Sequence, residues 1–594
     1  MLSSNPARED TIYNVIGEQI MAALKEPGIQ FTIRDGGLVA AQLEPTTERL
    51  LIIGNALDGP VNVPIRVNSL TQAEAIFGPL TYTKGFVDPI TGTESGKNSY
   101  NTLVLALYEA MIGGAGNVVL VRAGGTRATY SATGNVLGMT VVAPGRIYNG
   151  VRVSVVHNPV GASGMTRITI TQPAVKGGVM YSDFQSTTTT LQEVCDKLNS
   201  DARNSTIYFS VPAVSGTLMV STLTAYPSGI AFSGGTYGTA APGEDYYASK
   251  AGYYATLTAT GGTFETLASA EFNLALLTGI YADDQVVDGA EATTTSVATD
   301  FARFLHVISS EAQPVHGVIG LRPTGLRTPG DLKALADNNY LATTYGNYGV
   351  AADRWIKFGP FMKDGFSMVD PYTGETVDIG KYLSVVAGPD VILYCSGLNS
   401  SKAMYNTNGA AVYAGLVSSI AAHKAATNKA LGAVSALLGN FPQLTRAALI
   451  SGVGKDDYLG YAGGGAYVVF KTSQVVGVPV VVQDNTAALR TSDYAVLQIL
   501  RIVNLASQLA KQVLFPYIGE PNTVEARGAM KTNLKSAFDK MVEAGMLLGG
   551  DSVGYDFAIT SDRLDQVFTQ INVTMRLRPS LQIRDIIVTV SVSQ

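Results

Sequence analysis

The sequence is poor in the residue types that carry chemistry. Four histidines, two cysteines and one tryptophan are spread over 594 positions. Cys195 and Cys395 form no CxxC pair and no zinc-type spacing, which excludes metal chemistry through thiolates. They read as two buried thiols, with a disulfide between them left open. Charge is scarce as well: Asp, Glu, Lys and Arg make up 15% of the chain, against about 25% in ordinary globular proteins. So little charge on so long a chain suits a protein that buries much surface in an assembly, and also a secreted β-rich protein. The net charge is −6 and no basic run occurs, so binding to nucleic acid through phosphates has no electrostatic support. No stretch approaches 18 uninterrupted apolar residues, so no membrane-spanning helix or direct membrane insertion is expected. The polar opening, Met1 to Asp10, does not read as a signal peptide.

Catalytic constellations are missing too. His157, His306, His316 and His423 belong to no HExxH motif and read as structural. No GxSxG elbow occurs. Gly96-Lys97 has Thr91 where a phosphate loop needs glycine and Asn98 where it needs serine or threonine. Gly452-Val453-Gly454 is followed by Gly460, two positions late for a dinucleotide fingerprint. Asp283-Asp284 and Asp456-Asp457 lack a surrounding calcium loop and read as solvated turn carboxylates. No catalytic, cofactor-binding or metal-ligating residue is assigned, and the expectation is a non-enzymatic protein with no cofactor.

What the chain does have is strands at both ends and an α/β pattern between them. The last residues place Ile586, Val588, Val590 and Val592 on one face, and Ile587, Thr589 and Ser591 on the other. Such period-2 alternation of β-branched residues marks a half-buried strand. Leu581 and Ile583 lie on the opposite face, so the apolar side switches near Asp585. That predicts a linker up to Asp585 and, beyond it, a strand given to another sheet. Near the other end, a short amphipathic helix over 11–25 stops at Pro27-Gly28. Ile29, Phe31 and Ile33 then alternate with polar residues as a second isolated strand.

Between them, 49–54 reads as a buried strand, 71–77 as a helix capped by Ser69 or Thr71, and 81–98 as loop. Residues 101–112 read as a helix and 117–121 as a strand. Short alternating runs at 151–156, 165–171, 207–211 and 218–221, with a helix at 191–198, predict a mostly β insertion. A linker over 240–252 follows it. Helices are expected at 264–276, 296–308, 331–338 and 409–422. Strands are expected at 315–322, 447–450, 467–471 and 475–482, with a hairpin around 370–375. Residues 493–500 read as a strand feeding a helix to Leu514, and 525–548 as a helix stopped by Gly549-Gly550. Met530, Leu534, Ala537, Phe538, Met541 and Val542 form its apolar face. Two strands at 553–560 and 568–578 precede the terminal one.

The ordered set of these motifs resembles the contractile phage tail sheath family. Ile52-Ile53-Gly54-Asn55-Ala56-Leu57-Asp58-Gly59-Pro60, then Ala75-Ile76-Phe77-Gly78 and the strand to Arg122, are similar to the family's opening. Gly477-Val478-Pro479-Val480-Val481, the Arg501 helix, Pro521-Asn522 with the helix after it, and Arg578-Pro579 followed by Ile583 are similar to its C-terminal domain. Glu26-Pro27-Gly28-Ile29 resembles its entry strand. The resemblance covers about 26–125 and 250–594, with 126–260 as a variable outward-facing insertion.

It implies a multidomain protein of mixed α/β and β structure: an α/β sheath core, a mostly β insertion and extended terminal arms. The expected parts are an arm (1–45), the first α/β part (46–125), the insertion (126–260), an α/β middle region (261–480), a C-terminal core domain (481–578) and a terminal arm strand (579–594). It further implies a structural subunit that polymerises as hexameric rings or a helical array around a tail tube protein. Contraction of that array drives the tube through a host envelope. Baseplate and tail terminator proteins are the other implied partners, and the virion tail, after assembly in host cytoplasm, is the implied location. The residues expected to join subunits are Ile29, Phe31, Ile33, Ile583, Ile586, Val588, Val590 and Val592. A sheath of a non-viral contractile particle (a tailocin) is an alternative within the class. A secreted β-rich adhesin or a Rossmann-like enzyme lies outside it.

Overall fold

The computed structural model describes residues 48–56, 58–78, 80–84, 98–123, 128–130, 140–143, 151–171, 179–201, 207–211, 217–233, 250–282, 296–311, 314–321, 366–370, 374–394, 404–437, 466–473, 475–489, 491–549, 554–560 and 572–580. The fold is mixed α/β. Its centre is an eight-stranded sheet built from β1 (Leu50–Gly54), β2 (Ile65–Val67), β3 (Val118–Arg122), β4 (Leu274–Leu277), β5 (His316–Gly320), β6 (Leu383–Gly388), β7 (Val468–Thr472) and β8 (Pro479–Val481). The spatial order is β2-β3-β1-β4-β5-β6-β7-β8. From β3 to β7 all neighbours are parallel, and β2 and β8 close the two edges antiparallel.

Each parallel strand needs a crossover, and crossovers place helices on both faces. That is why these strands read as unbroken apolar runs. Leu50 and Ile52 enter one buried cluster and Leu51 and Ile53 the other. The first cluster takes in helices α1 (Leu70–Phe77), α2 (Thr102–Gly113) and α4 (Ala410–Ser419). The second takes in α3 (Val297–Glu311). Ser69 caps α1 by accepting from the Gln72 amide at 3.2 Å, and Asn101 caps α2.

Helices α2 and α4 approach so closely that side chains are excluded at the crossing. A Cβ on Gly415 would lie 2.0 Å from the Ala110 carbonyl oxygen, and one on Gly113 would lie 2.1 Å from that of Val412. The Ala-rich composition of α4 is thus explained: it is buried on all sides from Ala410 to Ser418.

Between β3 and β4 the chain builds a separate seven-stranded antiparallel sheet from 128–130, 140–143, 152–157, 165–171, 179–185, 208–210 and 226–233. Helix Leu191–Ser200 packs on it, with a complete capping box at Thr190 and Glu193.

Several expectations need correction. Residues 81–84 are a strand paired with 98–100, not loop. Residues 220–222 form a 3-10 turn, not a strand, and 250–252 begin a helix rather than a linker. The expected helix over 264–276 is short helical turns to Ser269 followed by β4, because Leu274 to Leu277 are buried on both faces of a parallel strand. Residues 475–478 are exposed ahead of β8. Residues 493–496 are not a strand; helix α5 (Leu497–Leu514) starts directly at Leu497. Helix α6 (Val524–Glu543) ends near Gly545, which takes φ +71°, and not at Gly549-Gly550. The helix predicted over 331–338 and the strand over 447–450 lie outside the described residues.

Candidate functional site: the roots of the two terminal segments

In a doubly wound sheet, ligands usually sit beyond the strand carboxyl ends where the strand order reverses. Here that point lies between β1 and β4, and the chain itself fills it. The Asn55 carbonyl at the end of β1 accepts from the Leu103 amide (3.0 Å) and the Thr102 hydroxyl (3.1 Å) at the start of α2. A Cβ on Gly54 would lie 2.6 Å from the Thr278 side chain beyond β4. The histidines are likewise absorbed by the body. His316 is buried on β5 against the Ser384 hydroxyl at 3.0 Å, and His157 bonds Thr166 and the Leu223 carbonyl. Among the described residues no group of three or more His, Cys, Asp and Glu is placed to hold a metal ion, and no helix is long and apolar enough to cross a membrane. Cys195 is a free buried thiol; Cys395 lies outside the described residues.

The distinctive polar cluster sits at the first turns of α5. Gln498 and Arg501 are three residues apart, so they share a helix face. Both are at least 96% buried. The Arg501 guanidinium donates from Nε to the Glu48 carboxylate (2.8 Å). From Nη2 it reaches the carbonyls of Val417 (3.0 Å) and Ile420 (2.6 Å), and from Nη1 that of Lys424 (3.4 Å). The planar fork of arginine matches such a ring of acceptors, which a lysine ammonium would not. The Glu48 amide in turn donates to the Ser418 carbonyl at 3.1 Å. Gln498 Nε2 donates to the carbonyls of His423 (2.5 Å) and Ser580 (3.2 Å). His423 is held below its ordinary pKa, first by burial and then by the nearby charges of Lys424 and Arg501.

Glu48 follows the arm expected over 1–45, and Ser580 lies at the start of the arm strand expected over 579–594. One turn of α5 therefore grips the body side of both expected arms. Ser580 is gripped a second time: its amide donates to the Met546 carbonyl (2.9 Å) and its hydroxyl to that of Gly545 (2.6 Å).

Beside this root lies an antiparallel hairpin, β9 (Tyr555–Thr560) and β10 (Asn572–Leu577), paired from Tyr555↔Leu577 to Thr560↔Asn572. Tyr555, Phe557 and Ile559, with Val573, Met575 and Leu577, are each only half-buried, while Asp556, Ala558, Thr574 and Arg576 are exposed. Phe538 of α6 lies under that apolar face, 5.3 Å from the Tyr555 ring and 6.2 Å from that of Phe557. Among the described residues neither strand pairs with any strand but the other.

All of the residues expected to join subunits (Ile29, Phe31, Ile33, Ile583, Ile586, Val588, Val590 and Val592) lie outside the described residues. What sequence reasoning missed is the anchoring set of Glu48, Gln498 and Ser580; Arg501 stood out only as a motif position. The available signal was a guanidinium within an otherwise apolar helix start, Leu497, Leu500 and Ile502.

No family model and no curated protein matches the chain. Among solved structures the chain is similar to a sheath tail protein from Desulfitobacterium hafniense. The identity is 12% and the TM-score 0.48, over 93% of this chain and 100% of that one. It is similar to a sheath tail protein from Listeria innocua at 13% identity and TM-score 0.49, over 90% and 92% of the two chains. It is also similar to the helical sheath of the anti-feeding prophage in its contracted state, at 10% identity and TM-score 0.44, over 95% and 98%. All three scores fall below 0.5.

Proposed function

We propose that the protein is a structural subunit of a contractile sheath, polymerising by strand exchange between neighbouring copies. The observation that carries this is the β9–β10 hairpin, which among the described residues pairs with no third strand and has a half-buried apolar face. Two-stranded ribbons are marginal alone, and a third or fourth strand completes them. The chain supplies strands of the right kind at 29–33 and 586–592. Each added backbone hydrogen bond nets only about 0.5–1.5 kcal/mol, but a strand adds several, repeated along a polymer. The ordered sequence motifs that resemble tail sheath proteins give the class.

In this reading the terminal strands keep subunits connected while the α/β bodies change their mutual contacts. The extended array is then a trapped state, and its relaxation drives a tube through a host envelope. Tube, baseplate and terminator proteins are the partners, and the particle's tail is the location. Whether that particle is a phage or a tailocin is decided by genome context. The test is removal of residues 581–594. The truncated chain is expected to stay monomeric by light scattering where the full chain forms sheaths or tubes in negative stain; normal polymers from the truncated chain would refute strand exchange.

A further inference from the structure

We infer that Gln498 and Arg501 couple the two terminal segments, so that loosening the root of one loosens the root of the other. This deepens the sheath reading and rests on it for its consequence, though not for its geometry. The coupling element is the segment from Val417 to Lys424, at the end of α4. Arg501 holds it through the Val417, Ile420 and Lys424 carbonyls while also holding the Glu48 carboxylate. Gln498 holds the same segment through the His423 carbonyl while also holding Ser580. Glu48 closes the circuit, since its amide bonds to the Ser418 carbonyl. No residue of the central sheet lies on this path.

The chemistry favours an all-or-none joint. A buried guanidinium that loses its carboxylate, or buried carbonyls that lose their donors, are left desolvated without a partner, so partial opening is unfavourable. In an array joined by terminal strands, a pull on one arm would then reach the root of the other arm within the same subunit. It would pass through α5 and the 417–424 segment without deforming the eight-stranded sheet.

Hydrogen exchange by mass spectrometry on the full-length, unassembled chain tests this. Gln498→Leu is the informative variant. Among the described residues Gln498 Oε1 accepts no hydrogen bond, so the substitution removes the bonds to His423 and Ser580. We expect exchange to quicken roughly five- to thirtyfold at Ser580 and also at the Glu48 amide, which Gln498 does not touch. Peptides of β5 and β6 should be unchanged. Arg501→Lys, which keeps the charge but not the fork, should show the converse, with faster exchange at the Ser580 amide. Glu48→Gln is a milder variant that retains an oxygen for Arg501, and it should move both roots by a smaller factor. Variants that quicken only their own root overturn the inference. So does a uniform rise that includes β5 and β6, which would mark general destabilisation. The measurement needs no polymer. A wild-type chain that never forms sheaths sinks the proposed function and leaves this result standing, whereas uncoupled roots in a chain that does form sheaths sink only the coupling.

Discussion

Acid should unfold this protein partly through one histidine. His316 is 2% exposed on β5. Ser384 Oγ donates to the Asn485 carbonyl at 2.7 Å, so it can only accept from His316 Nε2 at 3.0 Å. That fixes the neutral tautomer with the proton on Nε2, and among the described residues Nδ1 has no hydrogen-bond partner. Protonation would place a second N–H, and a charge, where no described residue receives them. Burial, with a smaller contribution from the Arg501 charge, pushes the imidazole down to about 3.

The unfolded chain takes up its proton near pH 6.5. The folded-state pKa is depressed, so the stabilisation is complete above pH 6.5 and is lost as pH falls towards 3. At pH 5 the loss from this residue alone is about 2 kcal/mol relative to pH 8. The assay is urea denaturation at pH 8 and pH 5 for the wild type and for His316→Gln, which keeps an N–H donor and does not titrate. The variant is expected to be less stable at pH 8 but to lose about 2 kcal/mol less on acidification. His306 and His423 are also lowered by burial and act with the same sign in both proteins, so the difference isolates His316. An identical pH dependence in the two proteins would refute the reasoning.

Other consequences are as direct. Gly415→Ala pushes a methyl into the Ala110 carbonyl and should cost about 1–3 kcal/mol in denaturant unfolding; an unchanged midpoint would mean that α2 and α4 are not so close. Burial pushes the Cys195 thiol up to about 11, so in the folded protein it should resist iodoacetamide at pH 8 and react once denaturant is added. Phe538→Ala removes the ring under the β9–β10 hairpin and should cost about 3–5 kcal/mol, read as lost protection of 555–560 and 572–577 in hydrogen exchange.

How far the sequence reveals the fold depends on how local each decision is. β1 and β3 were legible because runs such as Leu50 to Ile53 admit few other readings beside a glycine. β4 was not. Leu274-Ala275-Leu276-Leu277 suits a buried helix as well as a strand, and only its pairing with β1 and β5 decides. The α6 terminus shows the same limit. Gly545 and Gly549 are equally good stops by composition, and the pairing of 546–548 with 578–580 selects the first. In the insertion, strand 179–185 places apolar Val179 and Tyr181 on its exposed face and Ser182 on its buried one, so its alternation carries a weak signal. The root of the terminal segments is the least local feature of all. Arg501 meets Glu48 across 453 positions, and no spacing rule connects them.

The central claim is that the terminal strand completes a neighbour's sheet. A cryo-EM reconstruction of the assembled polymer, at a resolution that traces the backbone, tests it most directly. Residues 586–592 are expected to be hydrogen-bonded to an outer edge of the β9–β10 hairpin of another subunit, with Ile586, Val588, Val590 and Val592 on its apolar face. Residues 586–592 paired only within their own subunit would contradict it.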